Sequence, residues 1–183
     1  TIAWSYDLLT SEEQQLFRRF SVFVGGCTLE AIEALCMTLD GDNEVGQVLD
    51  SVASLLDKSL LRQREREGEE PRFWMLETLR EFALELLTAH QELKTVQRAH
   101  AEYYLALALQ LETSSQNLSL ERELERDYKN LREALQWALE QGEIELALHV
   151  GGTVCGLWND LGSLNEGRAY MEKVLAMSTG IET

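Results

Sequence analysis

Residues 44–76 read EVGQVLDSVASLLDKSLLRQREREGEEPRFWML, and the change of period inside this stretch decides the fold. Val45, Val48, Leu49, Val52, Leu55 and Leu56 recur at the spacing of one helical face, which predicts a helix from Glu44 to about Lys58. The period then changes. Ser59 to Arg64 and Arg72 to Leu76 read as short strands, and the charged segment Glu65 to Pro71, with Gly68, reads as the turn between them. From Glu77 the helical spacing returns, with Leu79, Phe82, Ala83, Leu86 and Leu87 on one side.

Upstream, Thr10 to Glu13 has the pattern of a capping box, a hydroxyl followed three residues later by a carboxylate. A helix from Ser11 to about Phe20 follows, with Leu16, Phe17 and Phe20 inward, preceded by a short helix from Ile2 to Leu9. Gly25-Gly26 break the chain, and Thr28 caps a third helix, Leu29 to about Met37, packing through Ile32, Leu35 and Cys36. The stretch Asp40 to Asn43 reads as a loop. Helices followed by a two-stranded hairpin are the layout of a winged helix, expected over residues 1–91.

In a DNA reader of this layout, the helix before the wing presents Arg, Lys, Asn or Gln to base edges. Here it carries Glu44, Asp50 and Asp57, with Lys58 its one cation. In the wing, Glu65, Glu67, Glu69 and Glu70 offset Arg62, Arg64, Arg66 and Arg72. The formal charge of the chain is −16; residues 1–91 hold 8 basic and 17 acidic side chains, the remainder 8 and 15. Such a surface repels phosphate at long range. The composition therefore argues against DNA as a partner of this chain, and no apolar run approaches the ~20 residues needed to span a bilayer.

Trp4 to Leu9, Glu13 to Phe20, and Ser21 to Ala31 resemble the winged-helix segment of STAND-type signalling ATPases. Leu55 to Leu61, Phe73 to Ala83 and Asn130 to Ala138 extend the resemblance over most of the chain. It implies a cytoplasmic, regulatory lid that docks on an upstream nucleotide-binding domain of the same polypeptide and passes its state to helical sensor repeats. A Met-His-Asp motif at the end of the second wing strand senses nucleotide in that family; the matching positions are Met75, Leu76 and Glu77. Leucine in place of histidine leaves no donor for a phosphate, and wing core and helix entry are the plainer role of this triplet.

Residues 92–183 read as helical hairpins. Val96, Ala99, Tyr103, Leu107 and Leu111 form one stripe; a helix from Asn117 to about Gln141 and another from Glu143 to Leu161 follow; Leu164 to Met177 supplies the last. The final pair resembles a tetratricopeptide repeat, with Gly162 in its turn and Gly167 and Val174 at packing positions, as at the start of a solenoid. Gly151, Gly152 and Gly156 are expected to admit a close neighbour, and Tyr170, Val174 and Met177 to form an exposed apolar end. Trp4, Tyr6, Trp158 and Tyr170 are the candidate interaction residues, the repeats being expected to hold a protein ligand.

Nothing in the sequence assembles a catalytic, cofactor or metal site. It has no P-loop, and His90, His100 and His149 lack metal-type spacing. Cys27, Cys36 and Cys155 are far apart and read as buried thiols of a reducing compartment. The reading favoured is a mainly α, non-catalytic regulatory and protein-binding module. Its alternatives are a DNA-binding winged-helix transcriptional regulator and a tetratricopeptide-type adaptor for a peptide.

Overall fold

The computed structural model describes residues 2–41, 45–65, 70–113 and 118–179, and the chain divides into two compact units, Thr1–His100 and Ala101–Thr183. The first holds α1 (Ile2–Asp7), α2 (Ser11–Phe20), α3 (Leu29–Asp40), α4 (Val45–Asp57) and α5 (Glu77–Ala89). It also holds β1 (Cys27–Thr28), β2 (Arg62–Arg64) and β3 (Arg72–Trp74). A turn through Gln91, which adopts a left-handed φ of 61°, leads into α6 (Leu93–Thr113), whose first residues belong to this unit.

The expected caps are in place. Thr10 accepts from the Glu13 amide and Glu13 accepts from the Thr10 amide at 2.9 Å, closing the capping box of α2. Thr28 caps α3 through the Ala31 amide. Phe17, Phe20, Ile32, Leu35, Val52, Leu55 and Leu87 are fully enclosed where α2 packs on α4 and α5 and α3 packs on α4.

The expected two-stranded hairpin is a three-stranded antiparallel sheet, in the order β1-β3-β2. β1 pairs Cys27 with Phe73, and β2 pairs Gln63 with the same residue. A two-residue strand has no period to detect; what marks it is the glycine pair before it. Gly26 has φ +92°, and a Cβ there would stand 2.4 Å from the Phe73 carbonyl oxygen, so only glycine lets the chain come this close to β3. Residues 66–69 of the expected turn, Asp42 and Asn43 of the expected loop, and the expected helix start Glu44 lie outside the described residues, while Asp40 ends α3.

The second unit contains the remainder of α6, then α7 (Leu118–Arg126), α8 (Tyr128–Gln141), α9 (Ile144–Thr153), α10 (Cys155–Asp160) and α11 (Leu164–Thr179). Two helices expected to be continuous are each broken once. The first breaks at Asp127, which is buried and accepts from the Asn130 side-chain Nδ2 at 2.9 Å and the Tyr104 hydroxyl at 3.4 Å. The second breaks at Val154, just after the weak helix formers Gly151-Gly152. On α6, Val96, Ala99 and Leu107 of the expected stripe are buried; Tyr103 is only half-buried, and its neighbour Tyr104 is enclosed. The start at Asn117 and the side chain of Leu111 lie outside the described residues.

Candidate interaction surfaces

α4 is held from behind. Lys58, one residue past its end, donates to both oxygens of Glu13 at 2.6 and 2.7 Å, and Ser54 donates to the same carboxylate. Burial disfavours charge on Glu13, but the bonds from Lys58, Ser54 and the Thr10 amide outweigh it and hold the carboxyl below its ordinary value. The one cation of this region is thereby paired with a buried carboxylate, its own side chain still exposed.

Outward, α4 presents Gln47, Leu49, Asp50, Ala53 and Asp57. Leu49 is 51% exposed, and with Ala53 and the half-buried Leu56 it makes an apolar strip at helical spacing, bordered by two carboxylates. No described residue of that face is basic. On the wing, Arg62 is exposed, Arg64 lies over the Trp74 ring at 5.4 Å, and Arg72 donates to the Gly26 carbonyl at 3.1 Å. Gln63 donates to Glu65 at 2.7 Å.

Arg18 and Arg19 are also committed. Arg18 donates to Glu92 at 2.8 and 3.3 Å and to the Tyr6 hydroxyl at 2.8 Å; burial opposes its charge, and Glu92 and Tyr6 more than restore it. Arg19 forks onto Asp40. Neither ion pair was foreseeable from spacing, since their partners lie 74 and 21 residues away.

Of the candidate interaction residues, Trp4 is open to solvent, at 65% exposure, with Leu8 beside it one turn on. Tyr6 is core: it packs on Phe17 and Phe82 and accepts from Arg18. Met75 is buried, Leu76 is the N-cap position of α5, and Glu77 pairs with Arg80 at 2.7 Å. His100 is enclosed against Phe23. Among the described residues no cluster of three or more His, Cys, Asp or Glu could hold a metal, and no helix is long and apolar enough to cross a membrane.

In the second unit Trp158 and Tyr170 are core as well, at 3% and 8% exposure. Val174 is enclosed too, so of the expected apolar end only Met177 is exposed, with Leu175 near it on the last turns of α11. A Cβ on Gly167 would meet the Trp158 ring at 2.5 Å, and one on Gly151 would meet Met171 and Tyr170 at 2.9 Å. Gly152 and Gly156 face open space, and Cys155 is exposed, both contrary to expectation.

Between α8 and α11, which both pack on α9, lies a cavity of about 320 Å³. Trp158 donates its indole N–H to the Tyr128 hydroxyl at 3.0 Å, which donates in turn to Glu166 at 2.9 Å. Burial, then the neighbouring Glu166 carboxylate, pushes the Tyr128 hydroxyl up to about 12, so it remains a donor at neutral pH. Burial likewise raises Tyr170, whose hydroxyl donates to the Ala147 carbonyl at 3.2 Å.

Helix, short strand, two helices and a wing strapped to that strand fix the architecture of the first unit. It is a winged-helix domain. Residues 9–88 match the winged helix-turn-helix domain family. The chain is 38% identical over 177 residues to "Putative HTH-type transcriptional regulator Rv0890c" of Mycobacterium tuberculosis (strain H37Rv), and equally to "Putative HTH-type transcriptional regulator Mb0914c" of Mycobacterium bovis. These matches take in 96% of this chain and 20% of each relative, so the chain spans about a fifth of their length. "Uncharacterized protein Rv0894" of M. tuberculosis is 33% identical over 96 residues, 52% of this chain and 24% of that protein. No solved structure matches the chain.

Proposed function

We propose that this chain is a non-catalytic segment of a cytoplasmic transcriptional regulator, and that its winged helix works by contacting protein. The printed name of its relatives supports transcription regulation and favours that reading over the nucleotide-domain lid implied by the ATPase resemblance. The observation that carries the protein contact is the outward face of α4: Leu49 and Ala53 flanked by Asp50 and Asp57, with Lys58 paired to Glu13. A face of this kind releases no counterions from phosphate, whereas an exposed apolar strip rimmed by carboxylates suits a partner with apolar and basic residues.

A second reading, direct DNA binding, is favoured by the family match and by the exposed Arg62 on the wing. Fluorescence anisotropy with a random-sequence duplex at low salt separates the two. The protein-contact reading expects no binding there, and Leu49→Glu in the full-length regulator is expected to weaken transcriptional output without lowering Tm. A duplex affinity that falls steeply with added salt and is lost in Arg62→Ala would replace it with the DNA reading.

A further inference from the structure

We propose that the cavity between α8 and α11 is a binding site for a small apolar carboxylate, its body on Trp158, Leu135 and Ala169 and its charge met by Lys173 at the rim. The site does not depend on how the winged helix is used.

Its floor is built before any ligand arrives. Trp158 is wedged against Gly167, where a Cβ would stand 2.5 Å from the ring, and lies 5.6 Å from the Tyr170 centroid. Its one donor is taken by Tyr128, and the Tyr128 hydroxyl by Glu166, so the floor offers apolar surface with its polar atoms already satisfied. Binding need not order these side chains, which lowers its entropic cost.

The charges of the lining are unequal in availability. Glu166 is engaged by Tyr128 at 2.9 Å and by Arg132 at 3.5 Å, and Glu133 stands 3.9 Å from Arg132. Lys173 is exposed and has no ion-pair partner among the described residues. A ligand anion is therefore drawn to Lys173, with Arg132 loosely enough held to turn toward it. A ligand cation would have to take Glu166 from two donors.

The volume of about 320 Å³ sits at the lower end of the range of small-molecule sites. A peptide is less suited, since the walls are helices whose backbone groups are bonded internally and give an extended chain no main-chain partners.

The test is isothermal titration of the 183-residue chain with 3-phenylpropionate, with its uncharged amide, and with a short peptide carrying Phe next to Glu. The acid is expected to bind up to about fivefold more tightly than the amide, the worth of one exposed charge pair. Lys173→Gln is expected to remove that preference while circular dichroism stays unchanged. Ala169→Trp, which fills the cavity from an exposed position, is expected to abolish binding of the acid. Equal affinity for acid and amide, an unaltered preference in Lys173→Gln, binding of the peptide alone, or no heat with millimolar acid would each overturn the proposal.

Discussion

The outward face of α4 and the cavity of the second unit make opposite use of the same scarce resource. The chain is acidic throughout, so each Lys or Arg either neutralises a carboxylate inside the fold or remains available outside. In the winged helix, Arg18, Arg19 and Lys58 are all turned onto Glu92, Asp40 and Glu13, and the helix that would face DNA is left with Asp50, Asp57 and leucine. In the second unit the aromatic floor is satisfied by a tyrosine and an indole, and Lys173 stays at the rim. Counting charges along the sequence gives nearly the same answer for both regions. What separates them is which acids the fold places within reach.

Glu13→Ala strikes this comparison hardest. It removes the capping box, a partner for Ser54 and the acid that holds Lys58, and is expected to cost about 2–3 kcal/mol in urea denaturation. A loss well under 1 kcal/mol would mean that Lys58 is not meaningfully sequestered. Gly167→Ala is the matching test in the second unit. It forces Trp158 off its seat and is expected to cost about 1–3 kcal/mol, accompanied by a change in the indole N–H resonance of Trp158; an undisturbed resonance would show that the floor is not wedged as described.

Acid is a gentler probe. The Glu13 carboxyl is held below its ordinary value of 4.5, so the unfolded chain takes up the proton first. The stability it contributes is complete above 4.5 and is lost as pH falls through the lower folded value. Thermal unfolding of Glu13→Gln is expected to depend less on pH in that window than the unsubstituted chain; parallel curves would remove Glu13 from the account. The smallest effect on stability belongs to Asp50→Lys with Asp57→Lys, both exposed, expected to shift unfolding by no more than about 0.5 kcal/mol. The same pair is expected to create duplex affinity at low salt, and its failure to do so would show that charge is not what keeps this face from DNA.

Local signals were legible in the residues. Thr10 with Glu13, Thr28 before its helix, and the loss of helical period at Ser59 each act within a few positions, and the structure carries all three. Signals that depend on distant partners were not. β1 exists because Gly26 lets the chain reach Phe73, and α8 starts where it does because Tyr104 and Asn130 give the buried Asp127 its bonds. In sequence, Trp158, Tyr170 and Tyr6 are ambiguous, because an aromatic with a polar end suits either a wet interface or a core that supplies a partner. Here Tyr128, the Ala147 carbonyl and Arg18 supply those partners, and a linear sequence shows none of them nearby. Trp4 is the exposed member of the set.

The carboxylate of Glu13 closes the front of α2 and clasps the residues at the back of α4, 41 and 45 positions downstream. Two remote pieces of backbone therefore share one fastening. Amide protons at the entry of α2 and the exit of α4 are expected to exchange with deuterium in step, as one opening event, although no peptide hydrogen bond joins the two.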